Sequence, residues 1–156
     1  MVKKKILVTG GAGYIGTSLI PRLLEEGHEV TVLDNLMHGG NQLLSFFRDV
    51  NFNFVKGDIT IKSDLEEVVK HKDIIIHLAA IVGFPACEGN PELAKNVNVM
   101  GTQNIIDVTS PEQIILYGST GSNYGKVDDI CTEETPLNPL SLYAETKTDA
   151  EKMLID

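Results

Sequence analysis

The chain is short of positive charge. Thirteen Lys and Arg stand against 22 Asp and Glu among its 156 residues, a formal net charge of −9. That deficit excludes the basic footprint of a nucleic-acid binder and offers nothing to anionic lipid, so any phosphate must be held locally. Cysteine is scarce too. Cys87 and Cys131 stand far apart and form no Cys-x-x-Cys pair, which excludes a disulfide scaffold and leaves free reduced thiols as the expectation. His28, His38, His71 and His77 lack metal-ligand spacing and are read as surface or internally satisfied side chains, with no metal expected. No apolar run approaches the roughly 20 residues that cross a bilayer. Lys3, Lys4 and Lys5 precede an apolar run that breaks at glycine, which is unlike a signal peptide. A cytoplasmic protein without a membrane partner is the resulting expectation. There are no repeats, low-complexity segments or linkers, and the length fits one domain.

What is present is a recurrence of short apolar runs: ILV at 6–8, VTVL at 30–33, FNFV at 52–55, IIIHL at 74–78 and IILY at 114–117. Runs rich in β-branched residues and without polar alternation predict strands buried on both faces, the condition of a parallel sheet. Helical segments lie between them. Residues 14–26 read as the first. Ser63 and Glu66 predict a capping box opening a helix to about Val69. Asn90 followed by Pro91 predicts the start of a helix reaching about Val108, stopped by Pro111. The last helix is SLYAETKTDAEKMLID, residues 141–156. This alternation predicts an α/β fold, a doubly wound parallel sheet of Rossmann type, whose ligands bind beyond the carboxyl ends of the strands. The stretch 118–140 is the longest irregular piece and a candidate for function. A sheet ending at the fifth run leaves an edge strand with unpaired backbone groups.

Four glycines occupy the seven positions 10–16, directly after the first apolar run. TGGAGYIG fits Gly-x-Gly-x-x-Gly through Gly11, Gly13 and Gly16, and Gly-x-x-Gly-x-x-Gly through Gly10, Gly13 and Gly16. Either spacing serves one chemistry: a sharp turn, a backbone that approaches a pyrophosphate, and a helix packed closely on the strand. Free amides at the helix start, with the helix dipole, then hold the anion without a lysine. Glycines also collect in ordinary turns, so context matters here. Asp34 closes the second strand 18 residues after Gly16. An acid there accepts from both ribose hydroxyls and repels a 2′-phosphate, which favours NAD over NADP.

The stretches TGGAGYIG at 9–16, VLDNL at 32–36, GDI at 57–59, HLAA at 77–80, NVMGTQNII at 98–106, YGSTGSNYG at 117–125 and YAETK at 143–147 occur in one order across nearly the whole chain. In that combination the chain resembles the extended short-chain dehydrogenase/reductases, specifically the NAD-dependent epimerase/dehydratase group acting on nucleotide sugars, with a UDP-glucose 4-epimerase-like pattern. The resemblance implies NAD contacts from Gly10, Gly13, Tyr14, Ile15, Gly16, Asp34 and Asn35. It implies Asp58 and Ile59 at the adenine, and Leu78, Ala79 and Ala80 beneath the cofactor. Asn98 falls on a buried stripe with Leu93, Val97 and Gly101; a core-facing amide costs stability unless bonded, so it ties strand to helix near the site or is simply a satisfied buried group.

The resemblance further implies catalytic roles for Thr120, Tyr143 and Lys147, the last two also touching the cofactor. Tyr143 and Lys147, four residues apart, share a helix face. An ammonium and a positive nicotinamide both favour the phenolate a general base needs. Tyr143 would take a sugar hydroxyl proton, Lys147 would reach the nicotinamide ribose, and Thr120 would orient the reacting oxygen. Tyr-x-x-x-Lys alone also arises in surface packing; the upstream glycine pattern is what raises it here. The family's dehydratases place an Asp-Glu pair after the Thr, where this chain has Gly121 and Ser122. That favours an epimerase. Family members also continue through further strands and a smaller C-terminal substrate region. Residues 1–156 therefore correspond to the NAD-binding domain, truncated relative to the family. Two alternatives stand beside an epimerase acting on a nucleotide sugar: a non-catalytic NAD-binding or dimerising fragment, and an NAD-dependent reductase of another substrate. In the family, the helices at 91–108 and 141–155 pack across a homodimer interface, to which Met153, Leu154 and Ile155 would contribute.

Overall fold

The computed structural model describes residues 2–128 and 130–155; Met1, Asp129 and Asp156 lie outside it, so the last helix is described only to Ile155. Each apolar run forms a strand: β1 Lys5–Thr9, β2 Glu29–Asp34, β3 Phe52–Lys56, β4 Ile74–His77 and β5 Ile114–Tyr117. All neighbours pair in parallel in the order β3-β2-β1-β4-β5. Val8 at the centre is opposite Val32 on one side and Ile76 on the other. Parallel pairing requires crossovers, and helices supply most of them.

The first helix, α1, spans Tyr14–Glu25 and accommodates Pro21. A 3₁₀ segment at Asn41–Arg48 lies between β2 and β3, followed after β3 by α2 at Lys62–Val69. The expected capping box is not made. Ile61 stands at the N-cap with no side-chain hydrogen bond, and the helix starts one residue before Ser63 can cap it. Asp64 in the first turn instead accepts the Asp58 amide at 2.9 Å. Asn90 caps as expected, accepting the Leu93 amide at 3.1 Å. After a short α3 at Phe84–Gly89, the chain runs as α4 Pro91–Lys95, a wider π turn at Asn96–Met100, and α5 Gly101–Val108. The helix α6, Leu142–Ile155, packs beside this composite helix.

Two apolar layers cover the sheet. Leu7, Leu33 and Ile75 meet Leu65, Val69 and Ile105 on one face; Ile6, Val8, Val30 and Val32 meet Ile20 and Leu43 on the other. β1 and β2 are buried on both faces as expected, but β4 is fully buried on one face only, and the two edge strands β3 and β5 have no fully buried residue. Ile114 and Leu116 remain 55% and 51% exposed. They pair in register with Ile74 and Ile76, which pack against the layer containing Ile20, whereas Ile114 and Leu116 do not join it. Among the described residues no helix is long and apolar enough to cross a membrane.

Candidate cofactor and active site

The carboxyl ends of the five parallel strands form one edge, and the sequence candidates leave it in turn: Gly10 after β1, Asn35 after β2, Asp58 after β3, Leu78 to Ala80 after β4, and Thr120 after β5. At Gly10, φ is +69° and an added Cβ would stand 2.6 Å from both the N and Cα of Ala79. Only glycine gives this left-handed turn while the neighbouring strand end lies so close. Gly16 answers a different need. A Cβ there would meet the Gly11 carbonyl oxygen at 2.2 Å, so its absence lets α1 begin flush against the turn. Gly13 donates its amide to Gly10 O at 3.0 Å. The amides of Tyr14, Ile15 and Gly16 open α1, where a helix has no internal acceptor for them. The Tyr14 side chain is 92% exposed, and Ile15 is exposed as well, leaving the main chain to line the cradle. A pyrophosphate fits these groups: open amides, a helix start and no Cβ in the way.

Asp34 faces this turn. One carboxylate oxygen accepts the Ala12 amide at 3.0 Å and the other the Leu36 amide at 2.8 Å. Gln42, which the motifs gave no reason to single out, donates its amide to the Ala12 carbonyl. Next along the edge, Asp58 accepts from Asn35 Nδ2 at 2.9 Å and from the Thr60 amide and hydroxyl. Partial burial pushes the Asp58 carboxyl up, but these donors outweigh it and hold it below the usual carboxylate range. Ile59 is buried against Gly101, in the core beneath the edge.

A single chain of hydrogen bonds joins β1, β4 and the composite helix under Ala79. Thr102 donates its hydroxyl to the Asn98 carbonyl at 2.7 Å, so its oxygen receives the proton of His77 Nε2 at 3.0 Å. His77 Nδ1 then accepts from the Thr9 hydroxyl at 2.7 Å, which itself receives the Ala79 amide. Burial, helped by the Lys147 charge, pushes His77 down to about 3 and keeps it neutral. It is satisfied internally, as expected. Asn98 is buried in the π turn. Its amide donates to Ile81 O and Thr146 Oγ1, both at 3.0 Å, while its oxygen accepts the Ile81 amide at 2.8 Å. It ties the exit of β4 to α6.

On α6, Tyr143 is half-buried and Lys147 is only 4% exposed. The Lys147 ammonium lies 3.9 Å over the Tyr117 ring at the end of β5, a cation–π contact. Burial pushes Lys147 down to about 8, with the Glu151 charge opposing, so the ammonium form prevails at neutral pH. Thr120 caps the 3₁₀ turn Gly121–Tyr124, its oxygen accepting the Ser122 amide at 3.2 Å. The O–H proton is therefore free to be donated elsewhere. Glu151, which sequence reasoning missed, bonds Ser119 and Asn123 on either side of Thr120. The spacing could have found it: Tyr143, Lys147 and Glu151 recur every four residues. Tyr117 opens the YGSTGSNYG stretch, but its residue type and spacing gave it no role of its own. Among the described residues no cluster of His, Cys, Asp and Glu can hold a metal, and Cys87 and Cys131 are unpaired.

Residues 6–156 match the model of the NAD dependent epimerase/dehydratase family. The chain is 36% identical over 157 residues to a UDP-glucose 4-epimerase of Mycolicibacterium smegmatis, covering 96% of this chain and 50% of that protein. It is 35% identical over 158 residues to a dTDP-glucose 4,6-dehydratase of Mycobacterium tuberculosis, covering 96% and 47%. The UDP-glucose 4-epimerase of Brucella ovis, solved in complex with NAD, superposes with a TM-score of 0.88 at 32% identity, covering 98% of this chain and 47% of that one. The chain spans about half the length of the curated relatives it matches.

Proposed function

The chain belongs to the NAD dependent epimerase/dehydratase family, and from that premise we propose that residues 1–156 are the cofactor-binding domain of a nucleotide-sugar epimerase of the UDP-glucose 4-epimerase type. One observation carries the reading. The turns after all five strands open on a single edge, and they bear the glycine cradle, Asp34, Asp58, Ala79 and Thr120, with the Lys147 ammonium laid across the end of the fifth strand.

In this reading the amides of Tyr14, Ile15 and Gly16 hold the pyrophosphate, Asp34 and Asn35 hold the adenosine ribose, and Asp58 meets the adenine with Ile59 beneath. Leu78, Ala79 and Ala80 floor the nicotinamide side, with Asn98 fixing that floor through Ile81. NAD, when bound, supplies the acceptor and donor of hydride at the sugar carbon. Tyr143 takes and returns the proton of the sugar hydroxyl. Lys147 stabilises the phenolate and reaches the ribose. Thr120 donates its free proton to the reacting oxygen and orients it. Gly121 and Ser122 bring no carboxylate for an elimination, which favours epimerisation over dehydration although relatives of both kinds match.

A substrate-binding part lying outside these 156 residues belongs to the same proposal, supported by the half-length match and by the open edge of β5 beside exposed Ile114 and Leu116. So do a cytoplasmic location and a homodimer through α4–α5 and α6, where Met100 and Ile155 are exposed. The same half-length favours a second reading, a non-catalytic NAD-binding or dimerising module. Titration with NAD, followed by incubation with UDP-glucose or UDP-galactose, separates them. Interconversion supports the epimerase, and NAD binding without turnover supports the module. Hydride transfer from simple hydroxy compounds alone supports a reductase of another substrate, and absence of NAD binding overturns all three.

A further inference from the structure

The turn that carries Thr120 is held by a side chain that no motif includes. Glu151 Oε2 accepts the Ser119 hydroxyl at 2.5 Å and Asn123 Nδ2 at 2.8 Å. The same Asn123 amide donates to Ser119 Oγ at 3.1 Å. Each proton in this triangle has one role, and the orientation of the amide is fixed because both of its partners accept. Asn123 is 2% exposed, and its Oδ1 is buried with no partner. A buried acceptor left unpaired is destabilising, so stability alone does not explain the arrangement. Thr120, Tyr124, Leu137 and Glu151 line an open cleft of about 300 Å³ at this point.

We propose that Glu151 is a positioning residue: it clamps the Thr120 turn onto the helix that carries Tyr143 and Lys147, so that hydroxyl, phenol and ammonium are presented by one rigid unit. The proposal rests on the roles given to Thr120, Tyr143 and Lys147 above. Two properties of the site follow from it. The turn is tied to α6 from both flanks of Thr120. The Glu151 carboxylate also favours the charged form of Lys147, whose ammonium lies over the Tyr117 ring and whose charge is felt by His77.

Three variants of the 156-residue chain separate the clamp from the charge. The measurements are hydrogen exchange at the amides of Ser122, Asn123, Gly125 and Asn138, which are bonded within or onto this turn, and the titration midpoint of Lys147 by nitrogen NMR. Both bonds reach a single oxygen, so a Gln carbonyl can accept both. Glu151→Gln should keep turn exchange within about threefold of the parent, while the Lys147 midpoint falls below its value of about 8. Glu151→Ala should speed turn exchange about tenfold or more and lower the Lys147 midpoint as well. Ser119→Ala, which removes the bonds to Glu151 and from Asn123 and keeps the charge, should speed turn exchange and leave Lys147 where it is. An unmoved Lys147 in Glu151→Gln, or unchanged turn protection in Glu151→Ala, overturns the proposal. If Glu151→Ala does not fold, unchanged protection in Ser119→Ala overturns it instead. NAD titration of the unaltered chain is run alongside. Its failure removes the functional reading, while these two readouts still decide the clamp.

Discussion

Replacing Gly16 by alanine tests whether α1 must start flush against the glycine turn for the phosphate cradle to exist. The new Cβ would stand 2.2 Å from the Gly11 carbonyl oxygen and 2.6 Å from the Gly11 C and Cα. All three atoms are main chain, so no rotamer relieves the clash and the helix start must move by roughly 1 Å. Alanine itself favours a helix over glycine by about 1 kcal/mol. Overpacking costs about 1–3 kcal/mol, and rigid obstruction places this site toward the upper end. The net loss of stability is about 1–2 kcal/mol. The effect on NAD should be larger than this implies, because a shift of that size takes the amides of Tyr14, Ile15 and Gly16 out of hydrogen-bond range of one phosphate position. Losing one charge-assisted bond corresponds to an affinity about 10- to 100-fold weaker. Urea denaturation and calorimetric NAD titration measure the two effects separately. Gly89→Ala is the control: nothing lies within 4 Å of a Cβ there, and both readouts should stay near the parent. A folded Gly16→Ala chain that binds NAD as tightly as the parent refutes the reasoning.

Asp34→Ala should weaken NAD more than NADP, since the ribose acceptor and the repulsion of a 2′-phosphate disappear together; equal losses in paired titrations contradict the placement. Some loss common to both cofactors is expected, because Asp34 also holds the Ala12 amide. Tyr143→Phe should bind NAD nearly as the parent does and abolish any hydride exchange with a sugar nucleotide, which isotope transfer measures. Acid should destabilise the fold through His77, whose folded value of about 3 lies below the ordinary 6.5. The unfolded chain takes up the proton first, so this contribution is complete above about pH 6.5 and is lost toward pH 3, at up to about 1.4 kcal/mol per pH unit. Urea midpoints should fall through that window and fall less steeply in His77→Gln; equal slopes in the two chains count against the buried neutral imidazole.

Much of the fold was legible because parallel strands buried on both faces leave uninterrupted apolar runs, and Asn90-Pro91 announces a helix by simple capping chemistry. The capping box of Ser63 and Glu66 failed for a local reason: the helix began at Lys62 with Ile61 at the N-cap, which leaves Ser63 inside the first turn. The 3₁₀ segment at Asn41–Arg48 and the short α3 left no periodicity long enough to read. The candidate site divides in the same way. Gly10, Gly16, Asp34, Tyr143 and Lys147 stood out because local geometry demands their residue types at fixed spacing. Gln42, Tyr117 and Glu151 did not, since each matters through a partner 30 residues or more away: Ala12, Lys147 and Ser119 in turn.

By itself the sequence determined the alternation of strands and helices, the glycine turn, and the acid that ends β2, because each is a matter of period, backbone freedom or spacing within a few residues. Tertiary structure decided what period cannot carry. Pairing in the order β3-β2-β1-β4-β5 gathered five strand ends on one edge, burial made His77 neutral and moved Lys147 toward neutrality, and packing of α6 brought Glu151 to the Thr120 turn. Those are contacts between distant segments, and only closure of the chain into a core creates them.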